Sequence, residues 1–387
     1  MDSNKQSRWL LSTAILSLSL LTVMAGAAIA PALGVIQQHF WDKDPLLVQM
    51  LLSVPALFII LTNFVFPWLC QRFTARTLVL GSLVLYILSG LLGYFITNLY
   101  AILFLRAFLG ISVGILMPLS TGLLIFYFDP SKQAKLMGLS SSMNYLGGVV
   151  ATLVTGVLCM LSWNAPFLVY AMALIALVPC ALYLPADRIA QRGQANAYSL
   201  KNFVQFHPYI IGMLFVMSIF FIYPTNFAIQ TLKDKVLPPY LITYIMAGMD
   251  VIAFLMGLKF GQIYNTLRGW TKYLPPFCFL LGYFCLSLFS GWVGVVLGSL
   301  FVGMGSGIGI PYIYAKAAQA AGKEATTTVL PILSGTLYLG QFITPFLVSW
   351  GGGFCGGEMR KAYVVALVVS FVLLVYTVVS KERKFQD

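Results

Sequence analysis

The chain has 387 residues, of which 60% are apolar and only 9% are Asp, Glu, Lys or Arg. Soluble globular proteins carry roughly 25% charged residues, so this composition excludes a soluble enzyme and indicates a protein surrounded by lipid. The formal net charge of +12 would suit a nucleic-acid partner, but the positions of the basic residues indicate membrane topology instead.

Apolar stretches long enough to cross a bilayer recur along the whole chain. Because every backbone polar group must be bonded internally in hydrocarbon, about 20 consecutive apolar residues are interpreted as a spanning helix. Twelve such stretches are present, at residues 9–33, 46–69, 77–98, 100–127, 136–161, 166–184, 208–230, 240–264, 273–291, 293–315, 327–350 and 361–380. The sequence therefore predicts an all-α membrane protein with twelve transmembrane helices.

The first stretch follows a basic leader and contains AGAAIA at residues 25–30, a pattern that resembles a secretory signal. The apolar region of a signal spans about 7–15 residues. This run is longer and continues through Pro31. We therefore interpret it as the first spanning helix.

The basic residues are distributed unequally between the two sides of the predicted membrane. Sixteen lie on the side of the N-terminus: Lys5, Arg8, Arg72, Arg76, Lys132, Lys135, Arg188, Arg192, Lys201, Arg268, Lys272, Lys316, Lys323, Lys381, Arg383 and Lys384. Five lie on the other side: Lys43, Lys233, Lys235, Arg360 and Lys361. Cytoplasmic loops carry the excess of Lys and Arg, so we expect both termini to be cytoplasmic and expect no nucleic-acid partner.

Two segments return later in the chain at one common offset. FLGISVGILMP at 108–118 matches FVGMGSGIGIP at 301–311, and LSSSMNYLG at 139–147 matches ILSGTLYLG at 332–340, both 193 residues apart. Repeated halves in a bilayer are typical of secondary transporters, which build a central site between them. The sequence therefore predicts two pseudo-symmetric six-helix bundles.

A polar stretch separates the predicted halves. It lies between the sixth and seventh spans and holds Arg188, Arg192 and Lys201 among Gln, Asn and Ser. We expect an N-terminal bundle at 1–185, a cytoplasmic linker at 186–207 and a C-terminal bundle at 208–387.

With this topology, the loop PWLCQRFTAR at 67–76 resembles the loop between helices 2 and 3 of the major facilitator superfamily. Arg72 and Arg76 match basic positions of the family motif, whereas Gln71 replaces its acid. The resemblance implies the major facilitator fold and a cytoplasmic latch involving Arg72 and Arg76. The alternative is that both arginines only set the topology.

Helix 4 is also similar to the family pattern, which places a glycine four residues after an arginine. Here these residues are Arg106 and Gly110, followed by Gly114. The glycine pairs Gly110 with Gly114 and Gly303 with Gly307 predict close helix packing. A guanidinium inside a span is costly, so Arg106 should contact a partner or a wet cavity, or else reach the outer interface.

The antiporter motif of helix 5 is half present, which leaves the direction of transport open. Gly147 and Gly148 match its glycine pair, whereas Met143 and Asn144 stand where the family has glycine and proline. Asn144 is then a polar group in the middle of a span. It either contacts substrate or bridges neighbouring helices.

Ten of the eleven acidic residues fall in predicted loops or tails, and Asp250 alone lies deep in a span. Desolvation disfavours its charged form, so a modest change of environment could switch its protonation. We therefore predict Asp250 as the proton-coupling residue. The alternative is a structural contact, for which Lys259 is about 13 Å away along the helix and too distant.

The family geometry places helices 1, 4, 7 and 10 around a central cavity, with helices 2, 5, 8 and 11 beside them. On that resemblance, Arg106 and Asp250 could approach each other and form a gate. Helices 7, 10 and 11 add aromatic and polar groups suited to an amphipathic ligand. These cavity candidates are Phe221, Tyr223, Pro224, Thr225, Asn226, Tyr312, Tyr314, Tyr338 and Gln341. The tyrosines could instead form an interfacial belt.

The catalytic and nucleotide-binding signals of other membrane proteins are missing from the sequence. His39 and His207, its two histidines, lie at span ends, and a single deep Asp makes neither a catalytic dyad nor a metal site. It contains no phosphate-binding glycine-rich loop. We therefore expect no enzyme activity and no cofactor, and we consider a receptor or scaffold the remaining class.

Within transport we favour proton-driven efflux of a small amphipathic or aromatic compound by alternating access. The alternatives are proton-coupled uptake of an organic anion, in which Arg106 pairs with a substrate carboxylate, and movement of a lipid-like substrate. The expected protein is a monomeric secondary active transporter, multi-pass in a bacterial cytoplasmic membrane. Its expected partners are the small-molecule substrate, protons and the lipid bilayer.

Overall fold

The computed structural model describes residues 2–188, 200–289, 291–321, 329–354 and 361–379. The chain divides into two compact units, Met1–Arg192 and Gly193–Asp387, and each is described by itself below. The all-α prediction is confirmed over these residues. Residues 189–199 of the predicted linker lie outside the described ranges, so its limits stay a prediction.

The first unit contains seven α-helices and three 3₁₀ segments in its described part. The α-helices are α1 Asp2–Ala27, α2 Leu33–His39, α3 Pro45–Arg72, α4 Ala75–Leu91, α5 Leu99–Tyr127, α6 Pro130–Leu158 and α7 Leu174–Tyr183. The 3₁₀ segments are Ala30–Ala32, Leu92–Tyr94 and Ala165–Ala173. Here α1 packs against α6, and α3 packs against α5.

The second unit contains α8 to α14 in its described part. They are α8 Leu200–Lys233, α9 Pro239–Leu258, α10 Phe260–Leu267, α11 Leu274–Leu288, α12 Trp292–Ala321, α13 Val329–Phe354 and α14 Lys361–Val379. A 3₁₀ segment, Arg268–Tyr273, joins α10 to α11. The packing repeats that of the first unit, because α8 contacts α13 and α9 contacts α12.

Several helix starts follow directly from local chemistry. The Asp44 carboxylate accepts a hydrogen bond from the Leu46 amide at 2.8 Å, with Pro45 in the first turn of α3. The Asn98 side chain accepts from the Tyr100 amide at 2.9 Å where α5 begins. These side chains satisfy amide groups that have no partner within the helix.

Eleven helical stretches in the described residues are long and apolar enough to cross a membrane. The predicted ninth span corresponds to α11, which has only 15 residues. At 1.5 Å per residue, α11 is about 22 Å long, whereas the hydrocarbon core is about 30 Å thick. The predicted span 240–264 is interrupted, because α9 ends at Leu258 and the amphipathic α10 begins at Phe260.

The internal repeat extends to the helix boundaries. Helix α5 begins at Leu99 and α12 begins at Trp292, which is the same offset of 193 residues. Each carries an interior proline at the repeated position, Pro118 and Pro311. A proline has no amide hydrogen, so the carbonyl four residues earlier, at Gly114 or Gly307, loses its usual helical partner.

Close helix contacts occur where the paired glycines lie. A side chain at Gly110 would collide with the backbone carbonyl of Pro55 on α3, and one at Gly303 would collide with the backbone carbonyl of Met249 on α9. Without a driving force from water, helix association in lipid depends on such close packing. The predicted packing role of these glycines is therefore confirmed.

Candidate functional site

Arg106 lies in the interior of the first unit, with 2% of its surface exposed. Its Nη1 donates a hydrogen bond to the Tyr170 hydroxyl at 2.5 Å, and that hydroxyl donates to the Ala25 carbonyl of α1 at 2.7 Å. The three residues therefore form a hydrogen-bonded chain that joins α5, the 3₁₀ segment 165–173 and α1. This chain supplies the polar partners that a guanidinium needs inside a span.

Aromatic rings cover the Arg106 guanidinium. Its Cζ lies 5.1 Å from the Phe167 ring centre and 5.0 Å from that of Tyr170. A cation over an aromatic ring gains about 0.5 kcal/mol at exposed sites and about 2 kcal/mol or more when water is excluded. Its Nη2 is buried and has no hydrogen-bond partner among the described residues.

Tyr86 belongs to the same cluster, with its ring centre 5.5 Å from that of Tyr170. Its hydroxyl donates to the Leu21 carbonyl of α1 at 3.2 Å. Sequence reasoning missed Tyr86, Tyr170 and Phe167, because aromatic residues are common in spans. The internal repeat could have pointed to Tyr170, because a tyrosine recurs 193 residues later as Tyr363.

Asn144 contributes to a polar seam between α1 and α6. Thr22 donates a hydrogen bond to its Oδ1 at 2.8 Å, and one turn away the Ser19 and Ser140 hydroxyls lie 2.7 Å apart. Gly147 allows the approach, because a side chain there would collide with the Leu20 backbone. The seam is the helix-bridging geometry considered for Asn144, whose contact with substrate stays a prediction.

The corresponding interior of the second unit contains hydroxyl groups in place of the arginine. The Tyr223 hydroxyl lies 2.7 Å from the Ser299 hydroxyl, and the Tyr223 ring stacks on Phe227 with centres 4.4 Å apart. The Tyr283 hydroxyl donates to the Ile219 carbonyl at 2.5 Å. All of these side chains are buried, so Tyr223 contributes to the packing of α8 against α12.

The other candidates on α8 differ in exposure. Phe221 is half-buried and packs edge-to-face on Phe220. Asn226 is buried, and its amide donates to the Ile222 carbonyl at 3.1 Å and to the Thr225 hydroxyl at 2.9 Å. The Asn226 hydrogen bonds stabilise the helix that contains Pro224.

The candidates on α12 and α13 lie in different surroundings. Tyr312, in the C-terminal half of α12, lies beside Tyr264, with ring centres 6.4 Å apart. The Tyr314 hydroxyl lies 3.3 Å from the Ser334 hydroxyl of α13, and Tyr338 is close enough to Tyr314 to interact electrostatically. Gln341 is buried on α13, with 7% of its surface exposed.

Asp250 lies in the middle of α9 and is half-buried. It follows Met249, whose backbone carbonyl lies where a side chain on Gly303 of α12 would project. It is also close enough to Tyr223 for an electrostatic interaction. No hydrogen-bond or ion-pair partner of Asp250 occurs among residues that the structure describes.

The two arginines of the 67–76 loop differ in their contacts. Arg76 donates a hydrogen bond from Nη2 to the Ala181 carbonyl at 2.5 Å, near the end of α7. Arg72 lies with its Cζ 5.6 Å from the Trp68 ring centre. Within the first unit Arg76 therefore satisfies a helix end, and the latch role of both arginines stays a prediction.

The spacing of ligating side chains gives no indication of a metal. In the described ranges no group of three or more His, Cys, Asp or Glu residues could hold a metal ion. The polar groups are instead dispersed through helix interiors, where they face other helices.

The sequence profile of the Major Facilitator Superfamily matches residues 15–345. The chain belongs to this superfamily. Its members are transporters, so the protein is a multi-pass membrane transporter and not an enzyme. The predicted all-α fold of this superfamily is thereby confirmed.

Relatives of the chain fall in the same superfamily. It is 25% identical over 330 residues to multidrug resistance protein 2 of Bacillus subtilis (strain 168), and the alignment covers 81% of each chain. A bacterial homologue of the human lysosomal transporter Spinster, solved in an inward-facing and unoccupied conformation, has a TM-score of 0.77 at 14% identity, with 96% of this chain and 95% of that chain covered.

The nucleoside transporter NupG is a further structural relative. Its TM-score is 0.72 at 13% identity, and the superposition covers 95% of this chain and 97% of that chain. At such low identity the structural likenesses establish the fold alone. The substrate must therefore be argued from the residues of this chain.

Proposed function

We propose that the protein is a proton-coupled secondary active transporter that exports a small amphipathic or aromatic compound by alternating access. Asp250 carries the proposal, since it is a carboxylate in the middle of a span without a hydrogen-bond or ion-pair partner among the described residues. A charge in a span is costly unless it is paired or hydrated. Asp250 could exchange a proton without breaking an existing ion pair.

Aromatic and hydroxyl groups support an amphipathic substrate. Phe221, Tyr312 and Tyr338 are half-buried aromatic residues. Mostly apolar surfaces with a few polar groups are typical of sites for small ligands. The name of the relative from Bacillus subtilis, a multidrug resistance protein, supports export of such compounds.

Uptake of an organic anion is the second candidate. It requires the Arg106 guanidinium to bind a substrate carboxylate, and the buried Nη2 without a partner would offer a donor. However, Arg106 is covered by Phe167 and Tyr170 and is 2% exposed. An anion could reach it only after these rings moved, so we favour export.

We also propose that both termini are cytoplasmic and that the protein works as a monomer. The excess of basic residues on one side supports cytoplasmic termini. Arg72 and Arg76 lie on that side, where we propose that they latch the helix ends in one transport state. We further propose that the monomer in a bacterial cytoplasmic membrane is the working unit.

The test is transport by purified protein in sealed vesicles with an imposed pH gradient. The substrate panel contains aromatic cations, neutral amphiphiles and organic anions, and the variants are Asp250→Asn and a control, Asp42→Asn. Asp42 is exposed in a loop and lies 2.8 Å from Lys43, so its neutralisation should not affect coupling.

We expect native protein and Asp42→Asn to accumulate an aromatic compound against its gradient when the pH gradient is present. Asp250→Asn should lose this accumulation but retain exchange of labelled for unlabelled substrate. Unchanged accumulation by Asp250→Asn would remove Asp250 from the coupling role. Accumulation of anions alone, abolished in Arg106→Gln, would support the second candidate.

A further inference from the structure

A surface cavity of about 320 Å³ lies where α10 and the following 3₁₀ segment meet α12. Its lining contains a guanidinium, an ammonium, an amide and a phenol, without a carboxylate. The lining residues are Tyr264, Asn265, Arg268, Gly269 and Lys316. This donor set suits an anion that carries several acceptor oxygens.

Basic residues outnumber acidic residues in the sequence around the cavity. Residues 251–323 contain five basic residues and no Asp or Glu. The Lys316 ammonium lies 5.6 Å from the Tyr264 ring centre, and this contact helps to hold it at the cavity wall. The local potential is therefore positive, which favours an anionic ligand.

Arg268, which lines the cavity, has a strained backbone conformation. Arg268 has φ 46° and ψ −119°, a region that non-glycine residues rarely adopt. Strain of this kind costs about 1–3 kcal/mol and persists where the surroundings impose it, often at ligand sites. Glycine would adopt this conformation more readily, so the choice of arginine points to a use for its guanidinium.

Both cations belong to the second half alone. The positions 193 residues earlier are Ala75 for Arg268 and Leu123 for Lys316. The duplicated helix framework therefore forms without a charge at either position. The first half instead has arginines at the positions of Asn265 and Gly269, namely Arg72 and Arg76, so the two halves place their cations differently in this region.

An apolar flank borders the cavity. Phe260, Ile263 and Leu267 share one side of α10 at helical spacing, and Trp270 is 75% exposed just beyond. Amphipathic helices with basic residues lie at the membrane interface, where tryptophan is enriched at the level of the lipid headgroups. A soluble anion would make no contact with this apolar flank, whereas the acyl chains of a lipid could pack against it.

We propose that this cavity binds the phosphate headgroup of an anionic phospholipid, with Arg268 and Lys316 as its ligands and with acyl chains along the apolar flank. Arg268 presents two N–H groups that match two phosphate oxygens. The occupant is a membrane lipid, so the site is separate from the path of the transported compound.

The test compares lipids on purified full-length protein. Thermal unfolding is followed in detergent with added phosphatidylglycerol, phosphatidylcholine or inorganic phosphate, and the apparent lipid affinity is taken from the concentration dependence. The variants are Arg268→Gln, Lys316→Gln and the double variant. Lys272→Gln is the control, because Lys272 lies over the Tyr273 ring, outside the cavity lining.

We expect phosphatidylglycerol to stabilise native protein and Lys272→Gln, and phosphatidylcholine to have little effect. Each cavity substitution should weaken the affinity about fivefold, since a basic residue near an anionic surface contributes about 1 kcal/mol. An equal loss in Lys272→Gln, or no loss in the double variant, would overturn the proposal. Equal stabilisation by inorganic phosphate would also overturn it, because the ligand would then be soluble.

A second measurement does not depend on the folding of the cavity variants. Phosphatidylglycerol with brominated acyl chains should quench the fluorescence of Trp270, measured as the difference between native protein and Trp270→Phe. Brominated phosphatidylcholine should quench this component less at equal mole fraction. Equal quenching by both lipids would contradict headgroup selection.

Discussion

Arg106 on α5 and Ser299 on α12 occupy the same position of the repeat, 193 residues apart. Arg106 bonds to Tyr170, whereas Ser299 lies 2.7 Å from the Tyr223 hydroxyl. The two halves therefore share a helix framework but not its buried chemistry. A cation at one position and a hydroxyl at the other make the halves electrostatically unequal.

Tyr170→Phe should destabilise the first unit. The change leaves Arg106 Nη1 without its acceptor and the Ala25 carbonyl without its donor, and a buried group without its partner costs about 1–3 kcal/mol. The midpoint of thermal unfolding in detergent should fall. Tyr100→Phe is the control, since Tyr100 is 59% exposed. An unchanged midpoint for Tyr170→Phe would mean that Arg106 has another adequate partner.

Gly303→Ala should weaken the packing of α9 on α12. The new methyl group would collide with the backbone of Met249, and overpacking costs about 1–3 kcal/mol. Gly248→Ala, which meets nothing within 4 Å, should be neutral or slightly stabilising. Unfolding titrations in sodium dodecyl sulfate measure both. Equal effects of the two substitutions would refute the close-packing role.

The Thr22 and Asn144 side chains should be energetically coupled. A double-mutant cycle of Thr22→Val and Asn144→Ala should give about 0.6 kcal/mol and not more than about 1.7 kcal/mol, as for other hydrogen bonds between helices in membranes. Ser17→Ala replaces Thr22→Val in the control cycle, because Ser17 bonds within its own helix. A coupling of zero for Thr22 would show that the seam adds no stability.

Arg76→Gln should loosen the end of α7. Arg76 donates to the Ala181 carbonyl, and a cation at a helix C-terminus contributes about 0.3–1 kcal/mol. Cys180 is buried at this helix end, so loosening would expose its thiol more often. Its rate of alkylation by N-ethylmaleimide, measured with the other cysteines replaced, should rise by up to about fivefold. Arg72→Gln should leave the rate unchanged. A rise in Arg72→Gln of the same size would show a general effect of loop charge.

Much of the helix framework could be predicted from the sequence, because lipid imposes a simple length rule on apolar segments. The predicted span 100–127 corresponds to α5, Leu99–Tyr127. The internal repeat predicted that α12 is the corresponding helix of the second half. The break after Leu258 escaped prediction. Lys259 between Gly257 and Gly261 gives a weak helix, but an apolarity count over a long window does not register this.

The contacts of the candidate site were harder to predict, because they depend on how each helix is rotated. The cost of a charge in lipid showed that Arg106 needs a partner. That Tyr170 provides one, 64 residues away, follows only from helix packing. Asp250 was predicted as the proton-coupling residue because it alone among the acids lies deep in a span, and its approach to Arg106, which the family resemblance implies, stays a prediction.

The repeated prolines bear on how each bundle can deform. At Gly114 and Gly307 the helical hydrogen bond to residue 118 or 311 is already absent, so α5 and α12 each have a point of lower bending stiffness at the same position of the repeat. Bending at these points strains fewer backbone hydrogen bonds than bending elsewhere in the same helix. The duplication has thus given the corresponding helix of each unit an equivalent flexible point.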